Sequence, residues 1–415
     1  FDSDAAVLRP GMTVLVSGDR IAAVGADGTV ALPAGAERID ASGGTLLPGL
    51  WDMHVHLSPV DGLLDIASGV TSVRDLGNDT DALLALKKRF DEGSAVGPRV
   101  VLAGIMDGPG PYAGPTKVLV DSEAEVTEAV ERYKSLGYEQ IKIYSSVRPA
   151  LVPWIVKEAH RLGMRVSGHV PAFMSAREAV EDGYDEIQHE NFLFLNFYPD
   201  VQDTRTPARF TAVAERGADL DLSSSEVHDF ISLLRDRDIV IDPTLSVFEE
   251  LFTDRPGTPA RVVEPVADRL PPQVLRGYLG GGLPVPAGKD ARYRASFAKM
   301  LDMVRLLHER GVRIVAGTDG LAGLTLDREL ELYVRAGIPP AEVLRIATIG
   351  AARVMHREGR LGSIVPGKLA DLVLVGGDPV ADIHAIRKVR KVVKNGVLYD
   401  AAAVWAAAGV AGRPD

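Results

Sequence analysis

The residues with the clearest chemical potential are His54 and His56, two positions apart in Gly49-Leu-Trp-Asp-Met-His-Val-His-Leu57. On a strand, side chains at i and i+2 point to the same side, so both imidazoles can reach one ion, a spacing that suits a metal. His169 ends Met164-Arg-Val-Ser-Gly-His169, His189 ends Asp185-Glu-Ile-Gln-His189, and Asp319 ends Val312-Arg-Ile-Val-Ala-Gly-Thr-Asp319. Each follows a run that reads as a strand. Any one of them could be a capping or buried polar residue. Four histidines and an aspartate arriving together from strand ends point to one site at a barrel mouth. Lys142 lies between two isoleucines in Gln140-Ile-Lys-Ile-Tyr144. An unpaired ammonium there would lose its hydration, so it needs a carboxylate partner or a modification. Arg74 ends the second expected strand and could receive a substrate carboxylate as a bidentate partner, or form a salt bridge to Asp75 or another barrel carboxylate. Tyr144 faces the same side as Lys142 and could bond the substrate or its oxyanion, as could Tyr112; wall packing is the other reading of both tyrosines. His160, His228, His308, His356 and His384 fall on expected helices or flanking loops and are left out of the site.

These side chains need a scaffold, and the sequence between them alternates β-rich runs with helical patterns about eight times, the signature of βα units closing a parallel barrel. Strands are expected at 50–54, 71–76, 99–103, 140–144, 165–170, 186–189, 239–243 and 313–318. Apolar residues at three- and four-residue spacings predict helices over 81–92, 122–136, 150–162 and 341–356. A Gly/Pro-dense stretch at 106–115, which carries Tyr112, follows the third strand and is expected to wall the pocket. Residues 248–292 form an insertion between the seventh and eighth strands that could serve as a lid. Both ends are different in kind. Residues 12–25 read as a hairpin turned at Ser17-Gly18-Asp19, and residues 370–377 and 389–399 are again short strands bounded by Gly and Asn. The expected organisation is a (β/α)8 TIM barrel over 49–358 and a small composite β-sandwich domain from 1–48 and 359–415.

Composition narrows the chemistry. The chain has 415 residues, 46% apolar and 25% charged, as expected of a globular protein. A formal net charge of −11 argues against nucleic acid as a partner. With no cysteine, thiolate metal sites, disulfides and cysteine nucleophiles are excluded, and the compartment is left open between cytoplasm and export. The Ala-rich tract at 401–412 is shorter than the roughly 20 residues that span a bilayer, so a soluble protein is expected. The start at Phe1 suggests a removed targeting segment or a longer native chain.

Taken together, the pattern resembles the binuclear subtype of the amidohydrolase superfamily of metal-dependent hydrolases: HxH on the first strand, Lys on the fourth, His on the fifth and sixth, Asp on the eighth. The resemblance extends over essentially the whole chain, including Gly362-Ser-Ile-Val-Pro-Gly-Lys-Leu-Ala-Asp-Leu-Val-Leu-Val375. It implies that His54, His56 and Asp319 hold one divalent ion and His169 and His189 a second. Lys142, carboxylated by carbon dioxide to a carbamate, would span the two ions, expected to be zinc. The resemblance further implies a metal-bridging hydroxide nucleophile, with Asp319 as the catalytic residue that passes a proton to the leaving group. The most similar members by motif are the bacterial metallo-dipeptidase and carboxypeptidase-like, prolidase-type amidohydrolases, matched in Thr71-Ser-Val-Arg-Asp-Leu-Gly77, Ile141-Lys-Ile-Tyr144 and Ser167-Gly-His-Val170. The implied activity is cleavage of an amide bond in a dipeptide or N-acyl amino acid, with ochratoxin-type amides as one such bond. A lactonase, esterase or phosphotriesterase on the same centre is the alternative. Lys142 argues against the deaminase members, which typically bind one metal and lack it. Expected partners are a small-molecule substrate and further copies of the chain in a homo-oligomer.

Overall fold

The computed structural model describes residues 1–410. Strands β1 (Met12–Ser17) and β2 (Arg20–Ala26) form the expected hairpin, and β3 (Gly44–Pro48) runs directly into β4 (Leu50–Val55). Next come β5 (Val70–Asp75), β6 (Arg99–Met106), β7 (Gln140–Ile143) and β8 (Arg165–Gly168), then β9 (Glu186–Gln188), β10 (Val240–Asp242) and β11 (Arg313–Ile314). β4 through β11 are parallel, each paired with its sequence neighbour, in one eight-stranded sheet. The sheet curls until its ends meet: Met53 N donates to Ala316 O at 2.8 Å and Asp319 N to His54 O at 2.8 Å. All eight expected barrel strands are present.

The last strand is shorter than expected because residues 315–318 leave the regular ladder while still bonding to both neighbours, as in Val315 N to Ile241 O at 3.0 Å. Gly317 permits this approach, since a Cβ there would lie 2.3 Å from Asp242 Oδ1 and 2.7 Å from His54 Cβ. Along the strands, aliphatic residues such as Val73, Ile141, Ile187 and Ile241 alternate with polar ones that are also buried: Asp52 and His54, Ser72 and Arg74, Gln140 and Lys142, Glu186 and Gln188. The period of two places one set against the surrounding helices and the other inside the barrel. The barrel interior is therefore polar, and its groups must satisfy one another.

Helices Thr80–Asp91 and Glu123–Ser135 start at Asp79 and Ser122, whose side chains accept backbone N–H groups of the first turn. The single helix expected over 341–356 is divided into Pro340–Arg345, a π-helical turn Ile346–Gly350 and Ala351–Val354. At the other layer, β12 (Leu372–Gly376) pairs antiparallel with β3 and with β13 (Val389–Lys394), which pairs with β14 (Val397–Asp400). The hairpin joins this sheet through Ile21 N to Lys368 O at 2.9 Å and Ala370 N to Asp19 O at 2.8 Å, with Ile21, Ala370 and Leu372 buried between them. Both ends of the chain thus build one antiparallel β layer beside the barrel. The Ala-rich tract forms helix Ala401–Ala407; residues 411–412 at its end lie outside the described residues. No helix among the described residues is long and apolar enough to cross a membrane.

Candidate metal centre and substrate cavity

At the C-terminal ends of the barrel strands, the four expected imidazoles meet. Ring centroids lie 5.5 Å apart for His54 and His56, 4.9 Å for His54 and His189, and 4.8 Å for His169 and His189. Each ring is held through Nδ1 by a protein oxygen: Asp242 Oδ2 at 2.8 Å for His54, Gly77 O at 2.6 Å for His56, Ser145 Oγ at 2.8 Å for His169 and Thr244 Oγ1 at 2.9 Å for His189. A carbonyl can only accept, so His56 Nδ1 carries a hydrogen and Nε2 is the nitrogen turned to the centre. The Nε2 atoms face inward. Those of His56, His189 and His54 lie 3.3, 3.7 and 3.8 Å from the Asp319 carboxylate, and Lys142 Nζ lies 3.1 Å from His54 Nε2. An oxygen that orients a ring through one nitrogen and leaves the other turned inward is the usual support of a metal-ligating histidine. His54, His56 and Asp319 offer ligand atoms all within 4.8 Å of one another, a group that could hold a metal ion.

Electrostatics favour the same use. Burial drives the His54 and His169 pKa values well below normal and that of His189 down to about 3, so these rings are neutral and can donate a lone pair. Burial also brings Lys142 down to about 8, against the pull of Asp319, Asp242 and Asp75. Burial opposes ionisation of Asp319 too, but the His56 contact and the positive charge of Lys142 outweigh it and hold the carboxyl well below the usual range. The backbone carries the signature of a site under constraint: His189, Thr244 and Asp319 have φ of +67°, +49° and +50°, a left-handed conformation uncommon without glycine. These turns follow β9, β10 and β11 and aim the side chains at the centre.

A cavity of about 250 Å³ opens onto these groups, lined by His56, Lys142, His169, His189 and Asp319. Tyr144, Asn191, Phe192, Arg209, Phe210 and Phe248 complete much of its wall. A larger groove between the hairpin and the four-stranded sheet contains no histidine and lies apart from this cluster.

Residues 45–399 match the Amidohydrolase family. The chain belongs to the amidohydrolase family. That membership makes it a hydrolase. Among relatives, it is 28% identical over 433 residues to the imidazolonepropionase of Anaeromyxobacter sp. (strain K), covering 97% of this chain and 93% of the relative. Among solved structures, it is similar to a Xaa-Pro dipeptidase with bound methionine, at TM-score 0.70 and 23% identity over 96% of this chain and 97% of the other. It is also similar to a bottromycin amidohydrolase, at TM-score 0.73 and 24% identity over 97% and 88%.

In this amidohydrolase the structure brings together His54, His56, Lys142, His169, His189 and Asp319, with Tyr144 stacked on His169 at 4.1 Å between centroids. Arg74 is a correction. It is fully buried below the cavity, with Nε on Met53 O at 2.8 Å, Nη1 on Glu186 Oε2 at 2.7 Å and Gln140 Oε1 at 3.3 Å, and Nη2 on Glu186 Oε1 at 2.5 Å. The carboxylate it receives is the barrel's own. Tyr112 is placed away from the cavity lining, half-exposed with Arg205 over its ring. The Gly/Pro loop nonetheless walls the site through Pro115, tied down by Asp107, which accepts from Gly114 N at 2.7 Å and Ser146 N at 2.6 Å. Of the 248–292 insertion, Phe248 reaches the cavity. Ala260, Val263, Val266 and Leu270 instead pack with Leu64, Leu324 and Trp405, which anchors much of the insertion to the barrel flank.

Two polar cavity residues had no expectation attached. Arg209, in helix Ala208–Arg216, is partly buried, and that burial weakens its hold on its proton. Its guanidinium meets Ser145 Oγ at 3.4 Å and lies beside Tyr144 and Phe210, with no carboxylate in salt-bridge contact among the described residues. Asn191, two residues after His189, donates through Nδ2 to Arg209 O at 3.2 Å. Arg209 gave no signal, being one of several arginines in a stretch without clear periodicity; Asn191 could have been suspected from its place just beyond a strand-end histidine.

Proposed function

We propose that this amidohydrolase cleaves the amide bond of a dipeptide or N-acyl amino acid, ochratoxin-type amides included, and releases an amino acid with a free carboxylate. The observation that carries this reading is Arg209: a partly buried cation on the cavity wall, with no carboxylate in salt-bridge contact among the described residues, is suited to receive one from the substrate.

The metal assignment follows from the donors. His54, His56 and Asp319 would hold one divalent ion and His169 and His189 the other, with Lys142 between them as a carbamate. The neutral imidazoles fit dications, and Asp319 with the carbamate supplies the anionic charge they require. Zinc suits this set. Carbon dioxide adds to a neutral amine, losing one proton, and burial makes the neutral form of Lys142 accessible. When bound, the ions supply Lewis acidity and make water at the site easier to deprotonate.

The protein groups do the rest. Ionised Asp319 takes a proton from the attacking water and returns it to the departing nitrogen as the acyl C–O bond forms and the C–N bond breaks. Burial raises the Tyr144 pKa, so the phenol keeps its hydrogen and can donate to a substrate oxygen. Phe192, Phe210 and Phe248 exclude water around the apolar part of the substrate.

The test is a metal count joined to a substrate screen. About two ions per chain and release of free amino acids from N-acyl amino acids or dipeptides are expected. Turnover of lactones or phosphotriesters with no amide cleavage would overturn the reading. Lys142→Ala should lower the bound metal, and two ions retained in that variant would refute the bridge.

A further inference from the structure

Thr244 is placed to serve two groups, and it serves one. It stands immediately before helix Leu245–Thr253, where a threonine ordinarily turns its hydroxyl to the N–H groups of the first turn. Its Oγ1 instead lies 2.9 Å from Nδ1 of His189, and the helix receives no cap from it. The first N–H groups are satisfied from another element: Leu245 N donates to Glu329 Oε1 at 2.8 Å and Ser246 N to Glu329 Oε2 at 2.7 Å. Glu329 is fully buried in helix Leu324–Arg335. A carboxylate at a helix N-terminus meets both the unpaired donors and the positive end of the helix dipole. The residue before it grips the same helix one turn on, with Arg328 Nε and Nη2 at 2.7 and 2.6 Å from the two oxygens of Glu249.

We propose that Glu329 is a positioning residue: by capping this helix in place of Thr244, it leaves the threonine hydroxyl on His189 and holds Val247 and Phe248 in the cavity wall. Both of those residues line the cavity, whereas Glu329 does not. Thr244 has φ +49°, a conformation that a β-branched residue keeps only where its surroundings enforce it. Two of the enforcing bonds are the ones Glu329 makes to the residues directly after it. Without them the first turn can unwind, Thr244 relaxes, and its hydroxyl is free to turn from the ring to the helix. His189 then loses the oxygen that orients it. The consequence for metal rests on the reading of His189 as a ligand.

The test joins zinc titration against a competing chelator to amide exchange on the same protein. In the wild type the Leu245 and Ser246 amides should be protected. Glu329→Gln, which keeps the shape but loses the charge and one acceptor, should speed their exchange roughly tenfold or more. Thr244→Val removes the ring's partner directly and should weaken zinc binding by about 10- to 100-fold, and Glu329→Gln should weaken it in the same direction. Both changes act through one hydrogen bond, so adding Glu329→Gln to Thr244→Val should alter the affinity by less than about threefold. Additive losses would reduce Glu329 to a stabilising role and overturn the proposal, as would an unchanged zinc affinity in Glu329→Gln. Unprotected amides in the wild type overturn it as well, and that measurement requires no variant to fold. These outcomes leave the metal reading intact; a wild type that binds no zinc defeats that reading and this inference with it.

Discussion

Arg74 and Arg209 are two arginines withdrawn from solvent to different degrees, Arg74 fully and Arg209 in part, and their partners differ in kind. Arg74 lies in the barrel floor with its donors committed to Glu186, Gln140 and Met53 O. Arg209 lies on the cavity wall with a hydroxyl at 3.4 Å and an aromatic ring against it. A guanidinium that loses water needs compensation, Arg74 wholly and Arg209 in part. In the floor, the compensation is built in; on the wall, no carboxylate in salt-bridge contact supplies it among the described residues, which is why the carboxylate of the substrate is proposed for it. Burial alone therefore does not distinguish a structural charge from a functional one; the partner list does.

Three variants would break or sharpen that contrast. Asp319→Asn, at the mouth, should lower kcat by about 10²- to 10⁴-fold, the range of a general acid–base group, while the urea midpoint stays near wild type; a near wild-type rate would remove its proton-transfer role. Arg74→Met, in the floor, should strip buried Glu186 of its bidentate partner, leaving Arg165 Nη2 at 3.6 Å, and destabilise the fold by about 3–5 kcal/mol, read as a lower urea midpoint. If that variant unfolded like the wild type and instead lost affinity for carboxylate substrates, the two arginines would have been assigned the wrong way round. Arg209→Met should lower kcat/KM for N-acyl amino acids by roughly 10- to 150-fold, the worth of a charge-assisted hydrogen bond, mainly through KM. The same variant should show a much smaller loss on the corresponding methyl esters, and an equal loss on both would show that Arg209 does not bind the carboxylate.

The misreading of Arg74 has a physical cause. Its position at the end of a strand is real, since β5 ends one residue later at Asp75. What matters is the stagger between strands. Arg74 is registered against Val101 of β6, whereas Lys142 is registered against Ile105 of the same strand. The tilt of a closed barrel then sets Arg74 beside Gln140, one inward-facing position before Lys142 on β7. Register between strands is a tertiary quantity and leaves no mark within either segment. The His pair and the strand-end residues were legible for the converse reason: i and i+2 geometry is local, and strand ends are marked by the turns that follow.

The eight strands, the terminal hairpin and the four histidines and one aspartate gathered at the mouth were visible in the linear pattern, because each depends on alternation, spacing and punctuation over a few residues, whereas the place of Lys142 among them came from the family resemblance. The π-helical turn within 346–350, the pairing of Arg74 with Glu186, and the place of Arg209 on the cavity wall without a carboxylate in salt-bridge contact among the described residues were not. Each depends on what stands across a gap from the residue, supplied by a segment distant in the chain. Local pattern specifies where a side chain is presented, but whether its charge or lone pair is already satisfied is a property of the closed barrel.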